Sequence, residues 1–369
     1  MKILYLNNQF YLHGGIEKIL SQKVNYLIEE YQYKVILCTS EHKNQSYVYP
    51  LNKSVNHIDL EINYNRSKSY FHPINLLKAF KHFIRLKRTI KKLKPNIIIS
   101  VNFTPEQYFL PFIEKGTPKV KEFHSSGVTL KSTNNLAGKL KYQLFKLFDK
   151  YDSVVVLNKD EKKYYPFKKI EVIPNFIKIP TQNKSLNKEK TIIAAGRLSP
   201  VKQFDHLIKA WHMIADEFPD WQVKIFGDGD DEIKDDLQGL IGELKVPNIK
   251  LMGSTTQLKE EMEKASIYAM TSATECFPMV LLEAQAAQLA IISYDCPNGP
   301  RNIIKENRNG VLLPLNSIEL FAHKLSEMIS SNEYRRQLAI NGEVDVLRLE
   351  IKEIMPKWTG LFNRLTHKI

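Results

Sequence analysis

TIIAAGRLSPVKQ, residues 191–203, decides the fold. It opens as a short β-branched run, apolar on both faces, that stops at Gly196. Pro200 then stands where a helix takes its first turn. A strand apolar on both faces belongs inside a parallel sheet covered by helices. Outward from it the alternation continues. Toward the C-terminus come strands at 221–227, 249–253, 266–271, 290–295 and 310–313, and helices near 202–217, 230–244, 256–264, 279–288, 300–306 and 317–329. Toward the N-terminus, strands are expected at 2–6, 34–40, 96–100, 119–123, 152–157 and 170–173, with helices over 16–31, 75–94 and 136–150. One such series makes a doubly wound α/β domain, so two make two.

The division falls in IPTQNKSLNKEK (179–190), a polar stretch without periodicity that precedes a new first strand. The expected domains are 1–178 and 179–344, both Rossmann-like. The tail reads as helix interrupted at Pro356, and residues 345–369 are expected to pack back on the first domain. Ligands of such sheets bind at the carboxyl ends of the strands, so two facing domains would form one cleft.

Composition agrees with this size of protein: 369 residues, 43% hydrophobic and 25% charged, exclude collagen, coiled coil and wholesale disorder. No run approaches the ~18 apolar residues of a membrane span. Ile3–Leu6 is too short for a signal-peptide core, so the chain is expected to stay in the cytoplasm. Cys38, Cys276 and Cys296 fit neither a metal spacing nor a disulfide framework. Charge is the unusual quantity. Residues 1–184 carry 31 basic and 14 acidic side chains, a net +17, and residues 185–369 carry 22 and 26, a net −4. A basic half implies nucleic acid, anionic lipid or phosphorylated small molecules as partners.

Three segments can carry chemistry. HGGIEK (13–18) joins the first strand to a helix. Gly14 and Gly15 admit a ligand close to the backbone, and the helix start offers N–H groups to a phosphate. It is not the GxGxxG dinucleotide fingerprint, and a GG pair alone is also an ordinary tight turn. GRLSPVKQ (196–203) brings Arg197 and Lys202 to a strand end beside Gly196, where they either grip a diphosphate or are surface charges flanking a helix start. SATECFPMVLLEAQAA (272–287) sets Glu275 in a turn and Glu283 inside an otherwise apolar helix. A carboxylate there needs a partner, either a cation elsewhere or a ligand's vicinal hydroxyls such as those of ribose.

The ordered set GG…GRL-x3-K…E-x7-E resembles glycosyltransferase family 4, retaining sugar transferases of the GT-B fold. VIPN (172–175), FGDGDDE (226–232), LMGS (251–254) and NGVLL (309–313) fall in the family order, and SYDCPNGPRNII (293–304) resembles enzymes of bacterial surface-polysaccharide pathways. The resemblance implies that Arg197 and Lys202 bind the donor diphosphate, Glu283 the ribose hydroxyls and Glu275 the donor sugar. It implies that the backbone of Phe277, Pro278, Met279, Val280 and Leu281 holds sugar and phosphate. Gly14 and Gly15 would close over the diphosphate, His124 in EFHSS (122–126) would stand near the reaction centre, and Met252 and Gly227 would line the nucleotide pocket. The family usually has glycine after the first glutamate, where this chain has Cys276. Asp228-Gly229-Asp230 is a literal DxD, a metal motif in a different transferase fold. Here no metal and no other cofactor is expected, and the resemblance implies that the nucleotide sugar, uridine-diphosphate-linked, is a substrate.

The excess charge gathers at residues 66–94, which hold ten Lys/Arg and no acid. In NLLKAFKHFIRLKRTIKKLK (75–94), Leu76, Phe80, Phe83, Ile90 and Leu93 are expected to pack inward, with Lys78, Lys81, Arg85, Arg88 and Lys92 on the opposite face. Lys139, Lys141, Lys146 and Lys150 form a second basic stretch. A basic amphipathic helix reads as a membrane-surface element. In the family the acceptor is often a polyprenyl-diphosphate lipid, so a peripheral enzyme on the inner face of the plasma membrane is expected. Two other readings stay open: a GT-B sugar-nucleotide epimerase or phosphorylase-like enzyme, and a nucleic-acid-binding protein. The last has no RNP, zinc or helix-turn-helix signature to support it.

Overall fold

A computed structural model describes residues 1–101, 103–128, 143–179 and 188–367. The chain divides into two compact units, Met1–Pro174 with Ile354–Ile369, and Asn175–Glu353. Sequence had placed the divisions at 178/179 and 344/345.

The first unit is built on a seven-stranded sheet: β1 (Lys2–Asn7), β2 (Lys34–Thr39), β3 (Asn56–Asp59), β4 (Ile97–Ser100), β5 (Lys119–Glu122), β6 (Ser153–Val156) and β7 (Ile170–Val172). The order is β3-β2-β1-β4-β5-β6-β7 and every pairing is parallel. β3 escapes a hydrophobicity reading because NHID has one aliphatic residue; it pairs only with β2, at the sheet edge, where polar side chains are tolerated. The core joins Leu4, Leu6 and Ile98 of the sheet to Leu86 and Ile90 of the helix Pro73–Leu93 and to Phe123 and Phe148.

The second unit has six parallel strands: β8 (Thr191–Ala195), β9 (Gln222–Phe226), β10 (Ile249–Gly253), β11 (Ile267–Met270), β12 (Ala290–Tyr294) and β13 (Val311–Leu313), ordered β10-β9-β8-β11-β12-β13. In both sheets the strand order reverses beside the first strand, at β1/β4 and at β8/β11, and such switch points open a crevice. Trp211, Ile225, Tyr294, Phe321 and Leu325 are fully buried in its core.

Two helical expectations need correction. Residues 300–306 form only a 3-10 turn, Pro300–Asn302. The tail is not broken at Pro356. The break lies at Leu347–Leu349, between the helices Asn332–Val346 and Ile351–Thr366, and Pro356 sits inside the second. A mid-helix proline costs ~3 kcal/mol. Burial of Ile354, Met355, Trp358, Leu361 and Phe362 along that helix offsets it. The stretch 136–150 falls mostly outside the described residues, Lys139 and Lys141 included; its described end is the 3-10 turn Lys146–Lys150.

Candidate active site

In the second unit the loop after β8 lies against the loop after β9. Gly196 N–H donates to Phe226 O (3.0 Å) and Leu198 N–H to Asp228 O (2.9 Å). Gly227 has φ +152°, and a Cβ on it would stand 1.8 Å from Gly196 O. A Cβ on Gly229 would stand 2.1 Å from Leu198 O. These glycines are therefore first a condition for two loops to touch, a demand that spacing alone did not reveal. Asp228 and Asp230 are exposed, and among the described residues no group of three His, Cys, Asp or Glu side chains could hold a metal ion.

The β8 loop delivers both predicted cations to the switch point. Arg197 is exposed and has no carboxylate partner among the described residues. Lys202 ends the turn Pro200–Lys202 and donates through Nζ to Glu275 Oε1 at 2.6 Å, the two side chains 23% and 16% exposed. Backbone ties hold this pair to β11: Ala273 N–H donates to Val201 O (2.7 Å) and Thr271 Oγ1 to Lys202 O (3.0 Å). Glu275 is propped from behind by residues 297–299. Its N–H donates to Pro297 O (3.3 Å), and a Cβ on Gly299 would come within 2.9 Å of the Glu275 Cβ and 2.6 Å of Pro278 Cδ. The PNG of SYDCPNGPRNII is thus the support of the glutamate, which sequence reading did not find.

Helix Met279–Ala286 starts without a side-chain cap. Its donors toward a ligand are backbone N–H groups of Met279 and Val280, since Leu281 N–H already bonds Pro278 O (3.1 Å). Pro278 has no N–H, so its assignment among the binding amides is corrected to that of a helix-starting residue. Phe277 is buried and Met252 is 42% exposed at the end of β10. Glu283 is half-buried. Tyr268, whose hydroxyl accepts from Ala195 N–H (3.2 Å) and donates to Ala195 O (3.1 Å), senses both glutamates. Burial pushes its pKa up, and the charges of Glu283 and Glu275 raise it further. Cys276 and Cys296 are buried, and burial, helped by the Glu275 charge, pushes Cys296 up to about 12. Cys296 is therefore neutral at physiological pH and is no nucleophile.

In the first unit Gly14 caps helix Gly15–Glu29, and a Cβ there would strike Glu17 Oε2 at 2.0 Å. Glu17 is buried and accepts from Gln9 Nε2 (2.8 Å), and burial raises its pKa. The expected phosphate cradle thus already holds a carboxyl group. His124 follows β5, its side chain 6% exposed, with Nε2 2.9 Å from Glu122 Oε1. The same oxygen accepts from Lys23 Nζ at 2.5 Å, and Lys23 lies 3.7 Å from the ring centroid of Trp358. Neither Glu122 nor Lys23 was singled out in the sequence.

The basic helix turns out differently from its expected face. Its buried positions are Asn75, His82, Leu86 and Ile90. Leu76 and Phe80 point outward, joined by Phe71, Ile74 and Leu77. Lys78 donates to Asn63 O and Arg85 to Leu60 O, with Glu61 3.8 Å from Arg85, so these two cations brace a loop. Lys81, Arg88 and Lys92 are exposed, as are Lys87 and Lys91. No helix is long and apolar enough to cross a membrane among the described residues.

Residues 175–345 match the sequence model of the family described as glycosyl transferases group 1. The amylovoran biosynthesis glycosyltransferase AmsD of Erwinia amylovora is 27% identical over 98% of this chain and 99% of its own length. A Campylobacter jejuni α-1,4-N-acetyl-D-galactosaminyltransferase, named for an undecaprenol-diphosphate-linked substrate, is 26% identical over 94% of each chain. An uncharacterized glycosyltransferase of Haemophilus influenzae is 30% identical over 57% of this chain, which spans only 61% of that relative. Among solved structures, TarM superposes with a TM-score of 0.81 at 15% identity over 98% of each chain. The pneumococcal O-GlcNAc transferase GtfA, solved with UDP and GlcNAc, does so with 0.78 at 16% over 100% of this chain and 99% of its own. The fold is GT-B.

Proposed function

We propose that this chain is a glycosyltransferase of the group 1 kind. It moves a hexose or N-acetylhexosamine from a uridine-diphosphate sugar to a membrane-associated glycan or lipid-linked acceptor in surface-polysaccharide synthesis, with retention at the anomeric carbon. One observation carries the reading. At the β8/β11 switch point one loop carries the exposed Arg197 and the Lys202 that pairs with Glu275, above close-packed glycine loops. Two cations suit a diphosphate, and a carboxylate beside them suits sugar hydroxyls. The names of the Erwinia and Campylobacter relatives support the pathway, and the UDP held by GtfA supports the nucleotide.

The residues then divide the work. Arg197 and Lys202 neutralise charge as the diphosphate leaves, assisted by the N–H groups that open helix Met279–Ala286. Glu283 takes the ribose hydroxyls, and Glu275 takes the sugar once diphosphate has claimed Lys202. The acceptor attacks from the face the leaving group departs, and the donor phosphate receives its proton, so no enzyme nucleophile and no metal ion is required. By the family resemblance His124 takes part in the same reaction. The outward side chains Phe71, Ile74, Leu77 and Phe80, followed by Lys81, Lys87, Arg88, Lys91 and Lys92, support docking on an anionic membrane surface. There each cation contributes about 1 kcal/mol.

The test is a nucleotide-sugar panel screened by thermal shift, then transfer to undecaprenyl-diphosphate-linked acceptors with and without EDTA, the anomer read by NMR. A UDP-sugar hit with α-linked product from an α-donor, insensitive to EDTA, is expected. Consumption of the nucleotide sugar without dependence on acceptor would overturn the reading in favour of an epimerase, and loss in EDTA restored by manganese would overturn the metal-free mechanism.

A further inference from the structure

β5 reads KVKE, yet it lies third from one edge of a seven-stranded parallel sheet, where strands ordinarily carry Val, Ile and Leu. Lys119, Lys121 and Glu122 are 2%, 0% and 1% exposed. Buried charges cost several kcal/mol each unless paired, and an apolar replacement is often neutral or better. Charges retained in such a place call for a use. Alternation along the strand separates them. Lys121 faces Ser100 (Nζ–Oγ 3.4 Å) and the rings of Phe103 and Phe123. Glu122 and His124, two residues apart, share the opposite side.

On that side everything converges on one atom. Glu122 Oε1 accepts from Lys23 Nζ (2.5 Å) and meets His124 Nε2 (2.9 Å). Lys23 comes from helix Gly15–Glu29 and is clamped 3.7 Å under the Trp358 ring, which belongs to the same unit. Burial by itself would raise the Glu122 carboxyl. The Lys23 ammonium and His124 overcome it and hold the group down at about 2, so it is an anion throughout the physiological range. An anion accepts only, so Nε2 must carry the ring proton. Among the described residues the ring's other nitrogen, Nδ1, makes no hydrogen bond.

We propose that Glu122 is a positioning residue, braced by Lys23, that fixes His124 as the Nε2–H tautomer and leaves Nδ1 as the ring atom that accepts from a substrate hydroxyl. The inference rests on the reading of His124 as part of the transfer site. It adds what sets the chemistry of that histidine: without the anion, either ring nitrogen can carry the proton, and Nδ1 is no longer held as an acceptor.

The experiment uses the full chain with 15N-labelled histidine, the His124 signals identified by their loss in His124→Ala. Wild type is expected to show an Nε2–H tautomer for His124. Glu122→Gln is expected to show mixed tautomers, with kcat at least tenfold lower, KM for the donor within twofold and UDP affinity unchanged. The Glu122→Gln/His124→Ala double variant should be no slower than His124→Ala alone. An Nδ1–H tautomer in the wild type overturns the proposal without any need for a folded variant. An unmoved tautomer in Glu122→Gln, or rate losses that multiply in the double variant, overturns it as well. Absence of turnover by the wild type would instead refute the transferase reading, so the two failures are told apart.

Discussion

Glu275→Gln separates what holds the empty site from what turns over the donor. In the structure Lys202 Nζ is 2.6 Å from Glu275 Oε1, with both side chains mostly but not fully covered. A hydrogen bond between charged groups is worth ~1.5–3 kcal/mol when dry, and partial exposure reduces this pair to about 1 kcal/mol. A diphosphate arriving at Lys202 must compete with that carboxylate and also meets its negative charge. Replacing the carboxylate by an amide removes both obstacles. UDP alone should therefore bind about fivefold tighter to Glu275→Gln, the equivalent of ~1 kcal/mol. The same change deprives the donor sugar of its charged acceptor. If Glu275 stabilises the sugar as positive charge develops on it, transfer should slow by roughly 10²-fold or more, about 2.7 kcal/mol. Isothermal titration with UDP at two salt concentrations reads the first effect, and the tightening should shrink at high salt because these charges are partly exposed. Single-turnover transfer reads the second. Weaker UDP binding by Glu275→Gln would refute the competition, and a wild-type transfer rate would refute the role on the sugar.

Other outcomes follow from the same geometry. Arg197→Ala, which removes an exposed cation, should leave the melting temperature within about 1 °C and lower transfer by ~2–4 kcal/mol in the transition state; a stable variant with an undiminished rate refutes its role on the diphosphate. Gly227→Ala places a methyl 1.8 Å from Gly196 O at φ +152°, so urea denaturation should show a loss of about 2–5 kcal/mol from combined strain and overpacking. A loss under ~1 kcal/mol would mean the two loops are not held in contact. Acid should loosen the first unit before the second. Burial lowers His82 to about 4, and burial with His42 nearby lowers His57 to about 4. Folded pKa values below the unfolded ~6.5 contribute stability that is complete above ~6.5 and is lost as pH falls through about 4. For fully buried His82 the loss reaches about 3 kcal/mol at pH 4. Hydrogen exchange followed from pH 7 to 4 should show deprotection in the helix Pro73–Leu93, and His82→Gln, which can keep a bond to the Tyr64 hydroxyl, should flatten the trend. A trend equally steep in His82→Gln removes that histidine as its cause.

The element series was legible because hydrophobic periodicity is local. A buried parallel strand must be apolar on both faces and its covering helix on one, and each pattern is complete within ten or twenty residues. Where burial and apolar composition part company, the reading failed. NHID forms β3 at an edge that tolerates polarity and is missed, whereas KVKE is read as a strand and only the burial of its charges escapes the reading. On the helix Pro73–Leu93 the apolar residues exceed what one face can bury. Periodicity alone could not say that Asn75 and His82 go inward while Leu77 and Phe80, 74% and 66% exposed, go out.

The site divides in the same way. The types Arg197, Lys202, Glu275 and Glu283, the first three in loops that follow strands and the last in a helix, are properties of the sequence, because strand ends, glycine turns and helical periodicity are written locally. Tertiary structure alone decided which of them meet. Lys202 and Glu275 are 73 residues apart, Lys23 and Glu122 are 99 apart, and Trp358 arrives from the far end of the chain. Electrostatic pairing depends on distance in space and on the loss of water, and neither is encoded at any single position. A one-dimensional reading can therefore name charges, whereas only the packed chain says which of them neutralise each other and which, like Arg197, have no carboxylate partner among the described residues.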